Sequence, residues 1–402
     1  MNGKNVIFKY FKLLIIINIL YFILVKTYSN LYKLYQKLPE RLFWKNQTIN
    51  LEKIRKEIID YNNVNYSLNI NEIIEKKQNP KMSLIITLFN QEKYIFKIYS
   101  CIQNQSLEDI EIILVDDNSQ DKSYYLIQKI MEKDKRIVYL KNSINKGQFY
   151  SRNKGVLKSK GEYVLIIDPD DLLLSDILIK SYEIAKFYKL DIIQYYHLEG
   201  SFNNNIFKQI NSSGILYQPH VKNLFFNCPD KFLWDKLIKR KIFIKSIKFM
   251  KTKFKKERFI FHNDETACFG VFRVANSYGL LEQIGYFWNR NNSNSTTFQS
   301  LKPENANRSF RSLFSIMYYY FEQSDNNVFE KTKGGYDFFK LKINHPYQKQ
   351  IKYLTKGFDY IIKVLDLYIN SPYFTRLQKD TLQIFKDKIN FRKSEINTKN
   401  PL

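Results

Sequence analysis

The sequence predicts an α/β fold in which a mostly parallel sheet is flanked by helices, and three observations carry that prediction. After Pro80, short continuous apolar runs alternate with amphipathic stretches, the pattern of strands buried on both faces and joined by crossover helices. Turn residues bound the runs, as Ser159, Lys160, Gly161 and Glu162 do ahead of the Tyr-Val-Leu-Ile-Ile run at 163–167. Two runs end in carboxylates, Asp116-Asp117 and Asp168-Pro169-Asp170-Asp171, and the carboxyl ends of strands are where open α/β sheets bind ligands.

Taken in order, the first strand is expected at 83–89, a helix at 91–104, a strand at 111–115, a helix at 122–133 and a strand at 137–140. A helix over 147–158 then leads into the strand at 163–167. The pattern is less regular from His197 onward, with a strand expected at 192–196 and a helix beginning near Phe232. Three helical patterns follow at 309–322, 355–369 and 372–389, with Gly334 and Gly335 between the first two and a frayed end beyond Arg392.

The 402 residues suffice for one large or two ordinary domains, and a hydrophobic fraction of 44% excludes a disordered chain. The net charge of +25 suits anionic partners such as phosphorylated substrates, lipid headgroups or nucleic acid, but an AT-rich genome would raise Lys and Asn by codon usage alone. Cys101, Cys228 and Cys268 form no close pair and the four histidines are scattered, so neither a zinc finger nor a disulfide framework is expected.

The apolar segment 13–25, extended upstream to Val6, reaches the length of a membrane span if Lys9 and Lys12 snorkel to the interface. Lys4, Lys9 and Lys12 precede it, which puts the N-terminus in the cytosol. A single-pass type II protein of the endoplasmic reticulum or Golgi with a lumenal domain is the expectation. The rivals are a cleaved signal peptide cut near Thr27 or Ser29 and a buried amphipathic helix. In a lumenal setting the sequons at Asn46, Asn65 and Asn294 become glycan acceptors.

Crowded carboxylates repel, so the cluster at Asp168, Asp170 and Asp171 suits a divalent cation held by oxygen ligands, Mn²⁺ or Mg²⁺, with an acidic helix start as the bland alternative. Residues 236–258 hold eleven Lys or Arg against the single acid Glu257, interleaved with apolar residues. That stretch reads either as a surface for membrane or anionic acceptor or as a solvated basic face.

The order and spacing of the local patterns resemble the family 2 glycosyltransferases, nucleotide-sugar enzymes of the GT-A (Rossmann-like) fold. The residues are Ser83 to Asn90 with Gln91-Glu92-Lys93-Tyr94, Ile112 to Ser119, Asn145-Lys146-Gly147-Gln148, Ser151 to Gly155, and Gly161-Glu162-Tyr163 leading into Ile166-Ile167-Asp168-Pro169-Asp170-Asp171. Downstream, Leu233-Trp234-Asp235-Lys236-Leu237, His262-Asn263-Asp264-Glu265 and Tyr286-Phe287-Trp288-Asn289-Arg290 with Ser295-Thr296 continue the likeness. It covers roughly residues 82 to 297.

Hydropathy and composition give a cytosolic tail and signal-anchor at 1–27, a stem at 28–80 and a helical extension at 301–402, while the resemblance implies a nucleotide-sugar-binding half at 81–200 and an acceptor-binding half at 201–300. The resemblance also implies an inverting, metal-dependent sugar transfer from a nucleotide-diphosphate donor, a UDP-sugar by family habit, to a hydroxyl of a glycan, lipid or protein. Asp117, with Asp116 beside it, would accept a uracil N–H, and Thr87, Phe89 and Asn90 would border the same base. Asp170 would bind Mn²⁺ or Mg²⁺, with Asp168 near the ribose or the metal. Asp171 would cap the next helix. Arg152 would neutralise phosphate oxygens or, alternatively, face solvent.

Asp264 resembles the catalytic base, Glu265 being the fallback and a helix N-cap the bland reading. The family's acidic pair is here Asn263-Asp264, so its first acid is missing. Trp234 and Trp288 would either stack on a sugar or pack in the core, and His262 would either approach the metal or be structural. Other readings are a nucleotidyltransferase and a non-enzymatic basic protein on membrane or nucleic acid. The second leaves the acidic strand ends unexplained, and no nucleic-acid partner is expected.

Overall fold

The computed structural model describes residues 53–60 in part, 72–201, 204–206, 215–217, 231–249, 263–290, 302–323 and 351–399 without 373, together with 221, 225, 292, 295, 299 and 300. The apolar segment 13–25, most of the expected stem, the three sequons, Cys228, His262, residues 250–258 of the basic stretch and the Gly334-Gly335 pair lie outside them. No helix among the described residues is long and apolar enough to cross a membrane.

The elements in chain order are β1 (Met82–Leu88), α1 (Ile95–Gln103), β2 (Ile110–Asp116), α2 (Ser123–Lys133), β3 (Ile137–Lys141), α3 (Gln148–Lys158), β4 (Tyr163–Ile167), β5 (Leu172–Leu173) and α4 (Ile177–Phe187). They continue with β6 (Ile192–Ser201), β7 (Asn204–Ile206), β8 (Ile215–Tyr217), β9 (Lys236–Lys239), α5 (Arg240–Phe249), α6 (Asn263–Val274), β10 (Ser277–Asn289), α7 (Ala306–Gln323), α8 (Phe358–Ile369) and α9 (Arg376–Lys399). The strands build one sheet in the order β3-β2-β1-β4-β9-β6-β10-β5, with β7 on β6 and β8 on β10. β1 runs parallel to β2 and β4, β2 to β3, and β6 to β10, while β9 enters antiparallel between β4 and β6.

Every residue of β1, β2 and β4 is buried, as an apolar strand covered on both faces must be. Two glycines allow the close packing this needs. A Cβ on Gly155 of α3 would meet Ile85 Cγ2 of β1 at 2.6 Å, and one on Gly161 would meet the β1 backbone at Ser83 N, 2.6 Å away. The Gly161 N–H donates to Ser83 Oγ at 2.8 Å and to Glu111 Oε1 at 3.0 Å, and the Ser83 hydroxyl donates to Glu111 at 2.5 Å. The starts of β1, β2 and β4 are pinned together, which sets their carboxyl ends level on the opposite rim.

Three expectations change. The helix expected from residue 91 starts at Ile95, because Ser123 Oγ and Asp121 Oδ2 take the Gln91 and Glu92 N–H groups into a loop. The helix expected near Phe232 is instead β9 followed by α5. Leu237 and Ile238 of β9 are buried between β4 and β6, but four residues flanked by lysines are too short for a period to show. The chain end does not fray at Arg392, since α9 continues to Lys399.

Where it is described, the basic stretch turns its apolar residues into the fold and leaves Lys241, Lys245 and Lys248 exposed. Ile242, Phe243 and Ile247 of α5 are buried, and Lys236 is 1% exposed, with Nζ donating to Asp235 Oδ1 at 2.6 Å and to Phe232 O at 2.7 Å. The helical extension joins the sheet body through Tyr320 of α7, whose ring packs on Phe225 and Phe269 and whose hydroxyl donates to Glu265 O at 3.3 Å.

Candidate active site

The carboxyl ends of β1, β2 and β4 lie side by side, and the acids that close them fall into two groups. At the end of β2, Asp116 is fully buried, accepting the Ser119 N–H at 2.7 Å and the Tyr139 hydroxyl at 2.5 Å. Asp117 Oδ1 accepts from Asn142 Nδ2 and Lys146 N, and Oδ2 from Gly147 N, each at 2.7 Å. A carboxylate has about four acceptor positions, so three filled ones leave Asp117 room for one further donor. Asn90 and Asn118 turn the two strand ends with φ of 55° and 70°, a conformation Asn tolerates better than most residues. The Asn90 N–H donates to Ser119 Oγ at 3.0 Å, and its side-chain oxygen accepts the Gln120 N–H at 2.9 Å, which ties the loops together. Thr87 is buried there, and Phe89 leaves 44% of its surface open.

The second group is built around Arg152 of α3. This side chain is 2% exposed, which removes the solvent-facing reading. Its Nη2 donates to Asp168 Oδ1 at 2.7 Å, and its Nη1 donates to Asn263 Oδ1 at 2.7 Å and to Asp264 Oδ1. Nε has no partner among the described residues. Gln148 runs alongside, donating to Asp168 Oδ1 at 2.9 Å and accepting from Asn263 Nδ2 at 3.2 Å. Residues 148 and 152 are one helical turn apart, so α3 presents both to the same rim.

The electrostatics follow from crowding. Burial works to lower the Arg152 pKa, but the charges of Asp264 and Asp168 outweigh it and hold the guanidinium firmly protonated. Burial pushes Asp264 up to about 6, against the pull of Arg152 and with the push of Asp168 and Glu265. Asp170 is raised to about 6, first by burial and then by Asp168. Asp171 is raised well above the ordinary carboxylate range by burial and by both neighbouring aspartates.

Asp171 does not cap the next helix. It is followed by β5, and α4 begins after Asp176. Its oxygens accept the Tyr286 hydroxyl at 2.8 Å and the Asn289 N–H at 2.9 Å, both from β10. Asp170 Oδ2 accepts from Asn292 Nδ2 at 2.7 Å. The same Tyr286 oxygen accepts the Asp168 N–H at 3.2 Å, so one phenol sits between the first and last acids of the cluster.

Among the described residues no group of three or more His, Cys, Asp or Glu side chains is arranged to hold a metal. Asp168 and Asp170 nonetheless each keep one oxygen that no other described side chain occupies. Two partly buried carboxylates this close together fit a hard cation that completes its shell with phosphate oxygens and water.

Asp168 and Asp264 thus meet on one guanidinium, Asp170 and Asp171 follow in the loop after β4 and are held by β10 residues, and Asp116 and Asp117 stand at the neighbouring strand end. Asp264 lies in the first turn of α6 with its carboxylate on Arg152. Trp234 takes its core reading: it is 2% exposed and stacked between Phe232 at 4.6 Å and Tyr286 at 4.5 Å. Sequence does not single out Gln148, Asn263, Asn289, Asn292 and Tyr286 as site residues, because single amides in an Asn-rich chain, and one tyrosine among 30, carry no signal of their own. The spacing of Gln148 and Arg152 on one helix face was the available clue.

Comparison with known proteins agrees with this geometry. Residues 83–247 match the family model described as glycosyl transferase family 2. An uncharacterized glycosyltransferase of Haemophilus influenzae is 41% identical over 102 residues, 25% of this chain and 40% of that protein. The GalNAc(5)-diNAcBac-PP-undecaprenol beta-1,3-glucosyltransferase of Campylobacter jejuni is 39% identical over 100 residues, 25% of this chain and 32% of that protein. The chain therefore spans less than half the length of these curated relatives. The crystal structure of S. aureus TarS 1-349 in complex with UDP-GlcNAc covers 79% of this chain and 90% of its own at 14% identity, with a TM-score of 0.61, which is a likeness of fold. Strand order, acidic strand ends and the family match agree: the chain carries a glycosyl transferase family 2 domain.

Proposed function

We propose that the protein transfers a sugar from a nucleotide-diphosphate donor, a UDP-sugar, to a hydroxyl of a glycan, lipid or protein acceptor, with inversion in a single displacement. The observation that carries this reading is the Arg152 bridge, which puts a donor-side acid, Asp168, and an acid from α6, Asp264, on one buried cation. Displacement at an anomeric carbon needs such a pair of sites, one for the departing diphosphate and one opposite it for the proton of the attacking hydroxyl.

Asp264 is the general base. At about 6 its pKa lies close enough to neutral pH to be both ionised and basic. Arg152 holds the carboxylate in place, and its charge would help to neutralise the diphosphate oxygens. The open acceptor position on Asp117 is assigned to a base N–H, with Asp116 holding the loop and with Thr87, Phe89 and Asn90 around the base. Asp170 and Asp168 would hold Mn²⁺ or Mg²⁺, which when bound supplies positive charge against the leaving diphosphate. The solved TarS complexes with UDP-GlcNAc and UDP support a uridine donor. Tethering through 13–25, with the domain in the lumen of the endoplasmic reticulum or Golgi, stays part of the proposal on the hydropathy of that segment.

The test uses the full chain and a panel of nucleotide sugars. Sugar transfer or donor hydrolysis should require Mn²⁺ or Mg²⁺ and be abolished by Asp170→Asn. Full activity in EDTA would rule out the metal assignment, and no turnover with any nucleotide sugar would rule out the reaction.

A further inference from the structure

Between residue 28 and Pro80 the sequence reads as a polar and charged stem, yet Glu57 reaches into the site's framework. Its Oε1 accepts the Ser175 N–H at 2.7 Å, and the Ser175 hydroxyl donates to both carboxylate oxygens at 2.8 Å. Ile58 beside it is 3% exposed. A second upstream residue, Ile74, is also built into the fold, donating to Lys133 O and accepting the Lys135 N–H, each at 2.7 Å.

Ser175 belongs to the connector that joins β5 to α4. Its neighbours are held by the fold itself: the Leu174 N–H donates to Gly285 O at 3.0 Å, Gln105 Nε2 donates to Leu174 O at 2.9 Å, and the Ser106 hydroxyl donates to Asp176 Oδ1 at 2.9 Å. Ser175 itself is gripped by Glu57. The carboxylate also lies by the start of α4, where negative charge is favourable, and Asp176 at the N-cap makes no side-chain cap bond of its own.

The element between this connector and the acids is short. β5 has two residues, paired with β10 only through Leu172↔Phe287 and Leu173↔Tyr286. So short a strand contributes little order of its own and depends on how its ends are fixed. Asp171 fixes one end through Tyr286 and Asn289, and the connector fixes the other.

We propose that Glu57 is a positioning residue for the donor-side carboxylates: by clamping Ser175 from outside the family domain it fixes β5 and, through it, Asp170 and Asp171. The inference rests on the proposed function for its catalytic consequence and on the hydrogen bonds alone for its structural one.

The experiment compares full-chain wild type with Glu57→Ala, Glu57→Gln and Ser175→Ala by amide hydrogen exchange and by steady-state kinetics with a UDP-sugar and Mn²⁺. Glu57→Ala should speed exchange across 168–175 while other strands keep wild-type protection. It should also lower kcat by about tenfold or more, as misplaced reacting groups do, with the acceptor KM unchanged. Glu57→Gln, which keeps an acceptor oxygen and loses the charge, should fall between. Ser175→Ala should add little to Glu57→Ala in the double variant. Unchanged exchange at 168–175 overturns the clamp, and faster exchange with unchanged kcat overturns the positioning role. Faster exchange in a protein whose wild type transfers no sugar leaves the clamp standing and removes the proposed function instead.

Discussion

In the proposed reaction, Asp264 carries the base chemistry at the scale of one residue. Its pKa is raised to about 6, from an ordinary value near 4, chiefly by burial, with Arg152 opposing the shift. The base form is the deprotonated one, so activity is present above that pKa and is lost as pH falls through it. A plot of log kcat/KM against pH should fall with unit slope below about pH 6. The same limb persisting in Asp264→Asn would assign it to another group. Arg152 is the second test: its Nη atoms reach Asp168, Asn263 and Asp264 at once, a fork that lysine cannot reproduce. Removing one partner of a buried ion pair costs about 3 kcal/mol, so Arg152→Ala should lose roughly that much in urea unfolding. Arg152→Lys should fold and transfer poorly, and wild-type turnover in that variant would remove Arg152 from the site.

At the scale of elements, β10 reaches across to the loop that β4 delivers. The Tyr286 oxygen accepts the Asp168 N–H and its hydroxyl donates to Asp171, so Tyr286→Phe leaves a buried carboxylate short of a donor. The expected cost is about 1–3 kcal/mol in chemical denaturation, together with weaker donor binding; a loss below about 0.5 kcal/mol would mean that other donors replace the phenol. Sequence made β1, β2, β4 and α3 legible, because buried parallel strands are continuous apolar runs and Gly161 marks the turn into β4. It also made Asp168 and Asp170 stand out, as charges at the end of an apolar run do, whereas Asp264 stood out through the family resemblance alone. β5, β9 and the role of Asp171 were not legible. Two- and four-residue strands have no period to detect, and Asp171 is defined by partners 115 and 118 residues away. Arg152 carried either reading until packing placed it, since burial of a helical arginine depends on what covers that face.

For the molecule as a whole, the net charge of +25 says less than the handful of acids does. The described apolar face of the basic stretch is buried in the fold, and its first lysine is spent inside the sheet. The acids, by contrast, are gathered from β2, the loop after β4 and the start of α6 onto one rim. The extension beyond 300 braces that rim through Tyr320 at the Glu265 carbonyl, one residue from the proposed base.

In the proposed reaction this rim separates donor binding from proton removal. UDP titration calorimetry and sugar-transfer assays run in parallel on wild type and Asp264→Asn test it most directly. The account predicts UDP affinity within about twofold of wild type and turnover lower by at least about 100-fold, the scale of a lost general base. Equal turnover in the variant, or loss of UDP binding together with transfer, would contradict it.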